Sequence, residues 1–446
     1  MKRMIKLALA FCFAALVFVL SGCIAKSVEN LYALPQLTAG YLQIQEKIDG
    51  LLASGVEYSA PVSGSYRQAV QLEDLDGDGA KEVLAFLSVP GGDKPQKIYI
   101  FRYMDGDYRQ AALIEGDGSS IGSVNYIDMD NDGVKEMVVG WQIATGINLL
   151  SVYSLRDFQV STLISTDYSQ CLAGDLSGNG CDDVMVIRLS ASDFSGEVEA
   201  YSLSSDGEVI SSKACMSSGI EALSRVRSGR LSDDVLAVFV ESAISGGTGV
   251  TDIFALRDER LYNITLNETS SISEDTMRSY NAYCRDIDGN GVLDVPRPIL
   301  LPSQSESSSY YVIEWYAYAS DGSCNMVCTT YTNYSDSWSL VLPKGWTDRI
   351  TVRREDSVSG ERTIVFSTYD GDIAEIHDFL IIYTLSGDNR YERASAGNRF
   401  VITTEEEKIY AAEIISNTAM NGINLSKNLI KDNFSLIYSE WITGEA

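Results

Sequence analysis

Apolar and polar residues alternate along most of this chain in runs of four to ten residues, broken by Gly, Asp, Asn and Ser clusters. That is the period of strands and turns rather than of helices. Ala69–Leu72 and Glu82–Leu87 make one pair of such runs, and Val124–Ile127 and Glu136–Trp141 make another. Lys97–Phe101 and Arg109–Ile114 follow the first pair, separated by the turn Asp105-Gly106-Asp107. Four short strands per unit is the composition of a propeller blade, and one blade cannot bury its own faces. Helical spacing occurs twice. Tyr41, Ile44, Ile48 and Leu51 form one apolar stripe, with Thr38 as N-cap and Gly55 near the end. Ile430, Phe434, Ile437 and Trp441 share a face in a second helix predicted over 426–442.

The polar breaks repeat. Asp74, Asp76, Asp78 and Glu82 recur as Asp128, Asp130, Asp132 and Glu136, then as Asp175, Ser177, Asn179 and Asp183, then as Asp286, Asp288, Asn290 and Asp294. A worn copy begins at Val226, so first positions fall at 74, 128, 175, 226 and 286. Glycine holds position 6 of each intact copy (Gly79, Gly133, Gly180, Gly291), where a sharp turn needs positive φ. Side-chain oxygens at positions 1, 3, 5 and 9 then converge with the position-7 carbonyl of Ala80, Val134, Cys181 or Val292. Hard oxygen donors in irregular geometry suit Ca²⁺ better than Mg²⁺, giving up to four sites. Acid count ranks loops one and two above the loop at 286 (loop five), and the loop at 175 (loop three) last. In the worn copy Arg225, Arg227 and Arg230 replace the acids, and a guanidinium is expected where the ion would stand.

An EF-hand would need flanking helices and Glu at position 12. Here that position holds Ala85, Val139, Val186 and Arg297, and the flanks read as strands. The pattern instead resembles the FG-GAP and VCBS repeats of integrin-like propellers, whose blades carry calcium in a hairpin loop. The resemblance covers about residues 65–330 and implies a mainly β fold: a β-propeller of about five four-stranded blades with calcium loops, followed by a small α+β C-terminal domain. The domains expected are 1–22, a lipoprotein signal peptide; 23–60, anchor, tether and short helix; 61–334, the propeller; and 335–446, the α+β domain. Trp338–Leu342 running into Pro343-Lys-Gly345-Trp346, with the terminal helix, is loosely similar to PsbP-like domains, a likeness that carries no activity.

The N-terminus changes the setting. Lys2, Arg3 and Lys6 precede an apolar run from Leu7 to Leu20, the layout of a secretory signal. Leu20-Ser21-Gly22-Cys23 resembles the lipobox of bacterial lipoproteins, which implies cleavage before Cys23 and lipidation of its thiol. Two or three acyl chains anchor stably at roughly 0.8 kcal/mol per buried CH₂. The expected location is the extracellular face of the bacterial cell membrane. A formal net charge of −28 argues against nucleic acid as a partner. Cys171, Cys181, Cys215, Cys284, Cys324 and Cys328 lack CxxC spacing and are expected as mostly buried free thiols.

No catalytic constellation stands out, and a non-enzyme is expected. The single histidine, His377, sits in an apolar run and reads as structural. Gly246–Gly249 is a hairpin turn and not a phosphate loop, and Glu405–Glu407 is a solvated strand end. The leading expectation is a calcium-binding surface lipoprotein, a binding or scaffold module for an extracellular protein or glycan. A polysaccharide-acting propeller enzyme, glycosidase or lyase, and an envelope-assembly lipoprotein remain as alternatives, because 62 acidic residues offer carboxylate pairs that sequence alone does not match up.

Overall fold

Val83-Leu84-Ala85-Phe86-Leu87 has no polar gap, and all five side chains are buried. A strand hides both sides only when its sheet is covered on both faces, and the structure supplies that cover by stacking sheet on sheet. The computed structural model describes residues 39–204, 206–303, 308–356, 358–415 and 425–437. The signal segment, Cys23, Thr38 and Trp441 lie outside the described residues.

Helix α1, Ala39–Ala53, comes first. Sheet one holds β1 (Glu57–Tyr58), β2 (Val70–Glu73), β3 (Glu82–Ser88), β4 (Gln96–Met104) and β5 (Asp107–Gly116). Sheet two holds β6 (Ser120–Ile127), β7 (Glu136–Ala144), β8 (Ile147–Ser154) and β9 (Ser161–Tyr168). Sheet three holds β10 (Gln170–Gly174), β11 (Asp183–Ser190), β12 (Ser195–Leu203) and β13 (Val209–Cys215). Sheet four holds β14 (Ile220–Arg230), β15 (Leu236–Ile244), β16 (Thr248–Arg257) and β17 (Arg260–Asn263). Sheet five starts with β18 (Val295–Leu300), β19 (Tyr311–Tyr318), β20 (Cys324–Asn333) and β21 (Trp338–Leu342). Every strand pairing within these sheets is antiparallel.

Alternate residues of each central strand point to opposite neighbours. From β7, Met137, Val139 and Trp141 pack with Leu84 and Phe86 of sheet one, while Val138 packs with Val184 and Val186 of sheet three. From β15, Val238 and Val240 join Met185 and Ile187, while Ala237 and Phe239 join Val295 and Tyr318 of sheet five. Full burial of such side chains stabilises by about 1.5–3 kcal/mol each. The run-like hydrophobicity of these strands follows from this two-sided burial. The face of sheet one turned away from sheet two is covered by α1, where Ile44 and Ile48 pack on Val83, Ala85 and Leu87.

Beyond sheet five, β22 (Ile350–Arg354), β23 (Glu361–Thr368), β24 (His377–Ser386), β25 (Phe400–Thr404) and β26 (Lys408–Ile414) form a sixth antiparallel sheet. Helix α2, Arg390–Ala394, covers part of it through Ala394 on Tyr383, Leu385, Ile409 and Ala411. Helix α3, Lys427–Asp432, and β27, Phe434–Leu436, close the described chain.

Three expectations change. The helix predicted to run to 442 stops at Asp432, because Phe434–Leu436 pairs with β21 as a further strand of sheet five. The boundary expected between 334 and 335 falls inside the β20–β21 hairpin, whose strands are paired from Thr329↔Leu342 to Asn333↔Trp338. All six described cysteines are free, as expected, but only Cys284 is buried and Cys215 is exposed. Among the described residues no helix is long and apolar enough to cross a membrane.

Candidate metal sites

The four intact loops share one backbone design, anchored by their own acids. The first-position carboxylate accepts the N–H of the position-6 glycine, at 3.0 Å (Gly79 to Asp74), 2.9 Å (Gly133 to Asp128), 3.1 Å (Gly180 to Asp175) and 2.8 Å (Gly291 to Asp286). Position 5 accepts the N–H of position 7: Ala80 to Asp78 and Val134 to Asp132 at 2.8 Å, Cys181 to Asn179 and Val292 to Asn290 at 2.7 Å. The acid at position 9 opens the next strand and reaches back into the loop. Glu82 accepts from Leu75 N–H at 3.0 Å, Glu136 from Met129 N–H at 3.1 Å and Asp294 from Ile287 N–H at 3.1 Å. In loop three Asp183 accepts from Ser177 N–H at 3.1 Å. The position-6 glycines have φ between +87° and +89°, as the turn argument required.

These bonds turn the remaining oxygens inward. Ligand atoms of Asp74, Asp76 and Asp78 lie within 4.8 Å of one another, as do those of Asp128, Asp130 and Glu136, and those of Asp286, Asp288 and Asp294. Loop three, with Asp175 and Asp183 as the only acids at its ligand positions, assembles no three-carboxylate group. Oδ1 of Asp74 and Oδ1 of Asp294 are buried with no hydrogen-bond donor, and the Asp294 side chain is 0% exposed. A buried carboxylate oxygen without a donor is costly unless a cation faces it. The donor set is all hard oxygen, so the residues present fit a calcium ion.

The charge shows in the acidities. Burial, reinforced by Asp130, Asp128 and Asp132, pushes the Glu136 carboxyl up to about 7. Burial, with Asp288 and Asp286 beside it, pushes Asp294 up to about 6. Burial also raises Glu82, Asp130 and Asp183. Asp78 moves the other way, held down first by the Ala80 N–H and then by Arg102.

Arg102 is a member of the site that sequence reading missed. From β4 its Nη2 lies 2.7 Å from Asp76 Oδ2 and 2.6 Å from Asp78 Oδ2, with Nε 3.9 Å from Glu82 Oε1. Arg156, in the turn after β8, does the same at loop two, 3.3 Å from Asp130 Oδ2 and hydrogen-bonded to Asp132. Both come from the third strand of their blade or just past it, far in sequence from the acids, and nothing local to the motif marks them. The arginines that were singled out do something else. Val226–Arg230 is continuous β14, paired to β15 as far as Arg230↔Leu236, and the loop shrinks to 231–235. Arg230 pairs with Asp234 at 2.7 Å on the surface, and Arg225 donates to the Cys284 carbonyl at 3.3 Å. Arg230 thus meets the remaining acid of the worn copy at the surface, and guanidinium groups stand against the acids of the first two copies as well.

Neighbouring loops are tied to each other. Lys135 N–H donates to Leu75 O at 2.8 Å, Asp182 N–H to Asp128 O at 2.9 Å, and Leu293 N–H to Arg230 O at 2.9 Å.

Away from the loops, Tyr280, Tyr310, Tyr311 and Tyr334 line a cavity of about 240 Å³ together with Arg354. The Tyr280 ring centroid lies 4.7 Å from that of Tyr311 and 6.2 Å from that of Tyr334. Next to it is a larger cavity, about 660 Å³, lined by Asp336, Asp356 and Glu361. Each of these acids has an arginine: Arg362 at 2.6 Å, Arg354 at 2.7 Å and Arg399 at 2.7 Å. His377 begins β24 and is exposed.

Residues 74–139 match the FG-GAP-like repeat family. No curated protein matches the chain. Among solved structures, an endo-arabinase from Bacteroides thetaiotaomicron is similar at 12% identity, over 60% of this chain and 99% of that one, with a TM-score of 0.24. The Dos1 propeller is similar at 10% identity over 80% of this chain and 81% of that one, with a TM-score of 0.29. The matched repeat spans loops one and two, the same hydrogen-bonded loop recurs at 175 and 286, and each loop leads into an antiparallel sheet. The chain is a β-propeller with FG-GAP repeats.

Proposed function

We propose that this chain is a calcium-binding, lipid-anchored surface module that binds an extracellular glycan or protein without transforming it. The observation that carries the calcium reading is the pair of buried, donor-less carboxylate oxygens, Asp74 Oδ1 and Asp294 Oδ1, each within a three-carboxylate group. Asp74, Asp76, Asp78 and Glu82 would hold one ion with the Ala80 carbonyl, and Asp286, Asp288, Asn290 and Asp294 another with the Val292 carbonyl. The equivalent residues of the loops at 128 and 175 would hold the others. Bound calcium would supply no chemistry beyond neutralising these carboxylates and stiffening the loops.

The tyrosine-lined cavity favours a glycan over a protein as the ligand. Half-buried tyrosines pre-set by their own contacts offer flat apolar faces with polar rims, which suit sugar rings. A glycosidase needs an acid and a second carboxylate flanking the bond. The acids lining the neighbouring cavity are each engaged by an arginine, which supports binding without turnover. The lipobox-like Leu20–Cys23 supports anchoring at the outer face of a cell membrane, through lipid on Cys23.

The test is direct. Native mass spectrometry of the body from Ile24 onward should show bound calcium, and chelator should lower its melting temperature. A melting curve indifferent to chelator would remove the calcium reading. Glycan-array binding lost in the Tyr280→Ala/Tyr311→Ala double variant, with calcium binding retained, would support the glycan reading. Release of oligosaccharide from a bound glycan would replace it with an enzyme.

A further inference from the structure

We propose that Arg102 and Arg156 are tethered counter-cations that hold the acidic oxygens of loops one and two in place of a divalent ion, so that calcium fills loop five first. This rests on the calcium reading above and reverses the order that acid count alone predicts.

The guanidinium of Arg102 contacts Asp76 Oδ2 and Asp78 Oδ2 at 2.7 and 2.6 Å, oxygens from positions 3 and 5 of the motif. Arg156 contacts the same two positions of its loop, Asp130 and Asp132. Calcium takes six to eight oxygens at about 2.3–2.6 Å, so an ion on those oxygens would stand against the positive charge of the guanidinium. Filling either loop therefore means separating a guanidinium from two carboxylates and returning an arginine to water.

Loop five has no such occupant. Among the described residues no lysine or arginine forms a salt bridge with Asp286, Asp288 or Asp294, whose ligand oxygens lie within 4.8 Å of one another. The strand that passes this loop, β19, sets Tyr316 opposite Val295, and the next two residues are the uncharged Ala317 and Tyr318. Asp294 Oδ1 is buried there with nothing donating to it. Loop five has fewer acids, but an ion reaching it displaces no cation, only the neutral hydrogen bond of 3.1 Å from the Asn290 amide to Asp288 Oδ2.

The two arginines are held unequally. The Arg102 side chain is 31% exposed and its guanidinium lies 5.1 Å from the Phe158 ring centroid, against 60% exposure for Arg156. Arg156 leaves more easily, which places loop two second in the order and loop one third. The arrangement also separates two roles. Blades one and two have the charge of their acidic loops partly offset by the chain itself before calcium arrives, and loop five responds to the ion first.

The experiment is a calcium titration of the whole mature body, with ions counted by native mass spectrometry and affinities read by calorimetry. It compares wild type with Asp294→Asn, Arg102→Gln, Arg156→Gln, Arg102→Lys and the double variant Arg102→Gln/Asp76→Asn. Asp294→Asn should remove the tightest ion. Each Arg→Gln change should tighten one weaker site by about tenfold or more, with no change at the tightest. The gain from Arg102→Gln should vanish in the double variant, and Arg102→Lys should stay close to wild type. In chelator Arg102→Gln should melt below wild type, and in saturating calcium the two should coincide. Calcium binding that is unchanged or weakened by both Arg→Gln changes, or a tightest site that survives Asp294→Asn, would overturn the proposal while leaving calcium binding intact. No bound ion in any of the proteins would overturn the calcium reading itself.

Discussion

Gly77 shows how tightly the first two loops meet. Its φ is +69°, and a Cβ added there would stand 2.5 Å from the Gly133 carbonyl oxygen. Gly79, with φ of +87°, faces open space. Gly79→Ala should therefore cost only the left-handed backbone strain, about 1–2 kcal/mol. Gly77→Ala must add a backbone displacement and should cost at least about 1 kcal/mol more. Urea denaturation of the two variants in calcium checks this, and equal losses would mean that the loops part without resistance. A different residue-scale effect sits in sheet six. Arg353 grips Asp378 through two hydrogen bonds of 2.6 and 2.8 Å, and Ser367 Oγ donates to it at 2.7 Å. The Arg353 hydrogen bonds hold this carboxyl below the usual carboxylate range. A folded value below the unfolded one, about 3.9, means stabilisation that is present above that pH and lost as pH falls through the folded value. Between about pH 5 and 2.5 the wild type should therefore lose more stability than Asp378→Asn, measured by denaturant titration at each pH.

At the scale of elements, the chain's own pattern revealed most of the blades. Residues such as Glu82–Leu87 and Glu136–Trp141 carry strand propensity, an acidic loop before them and a turn after them, so local and repeated signals agree. The misreadings arise where a distant partner decides. Ile430, Phe434 and Ile437 fit a helix by spacing. Ser426 does cap one, its Oγ accepting from Leu429 N–H at 3.1 Å. After Asp432, however, pairing to β21 wins: Leu340↔Phe434 and Trp338↔Leu436 form a ladder, with the Trp338 and Phe434 rings stacked at 5.5 Å. No periodicity within 426–442 contains that information. Arg102 was invisible for the same reason, since its contact with Asp76 and Asp78 comes from the fold of the β3–β4 hairpin. The returning strand has a measurable role. Phe434→Ala should cost about 2 kcal/mol, less than a fully buried Phe because the ring is only partly buried. Hydrogen exchange should then speed up in β21 before it does in β20. Exchange that stays unchanged in β21 would mean the strand is only laid on the surface.

For the whole molecule, the loops matter because each is joined to a neighbour. Leu75 O, Asp128 O and Arg230 O each accept a backbone N–H from an adjoining blade, from Lys135, Asp182 and Leu293. An ion that stiffens one loop therefore stiffens the edge of the next blade as well. A site at a calcium concentration about 100 times its dissociation constant adds about 2.7 kcal/mol to the folded state. If the blades opened independently, that gain would stay within the blade that binds. The Leu293-to-Arg230 bond instead places the worn fourth blade, whose own loop lacks the three-acid group, against loop five. Adding calcium should then slow amide exchange at Leu293 and along β14 and β15 of sheet four, with a midpoint matching the tightest calcium site. Asp294→Asn should abolish that protection in sheet four while leaving the Lys135 amide between loops one and two as it was in chelator. Protection confined to residues 286–294 in the wild type would show that the bonds between blades transmit nothing and that each loop binds for itself.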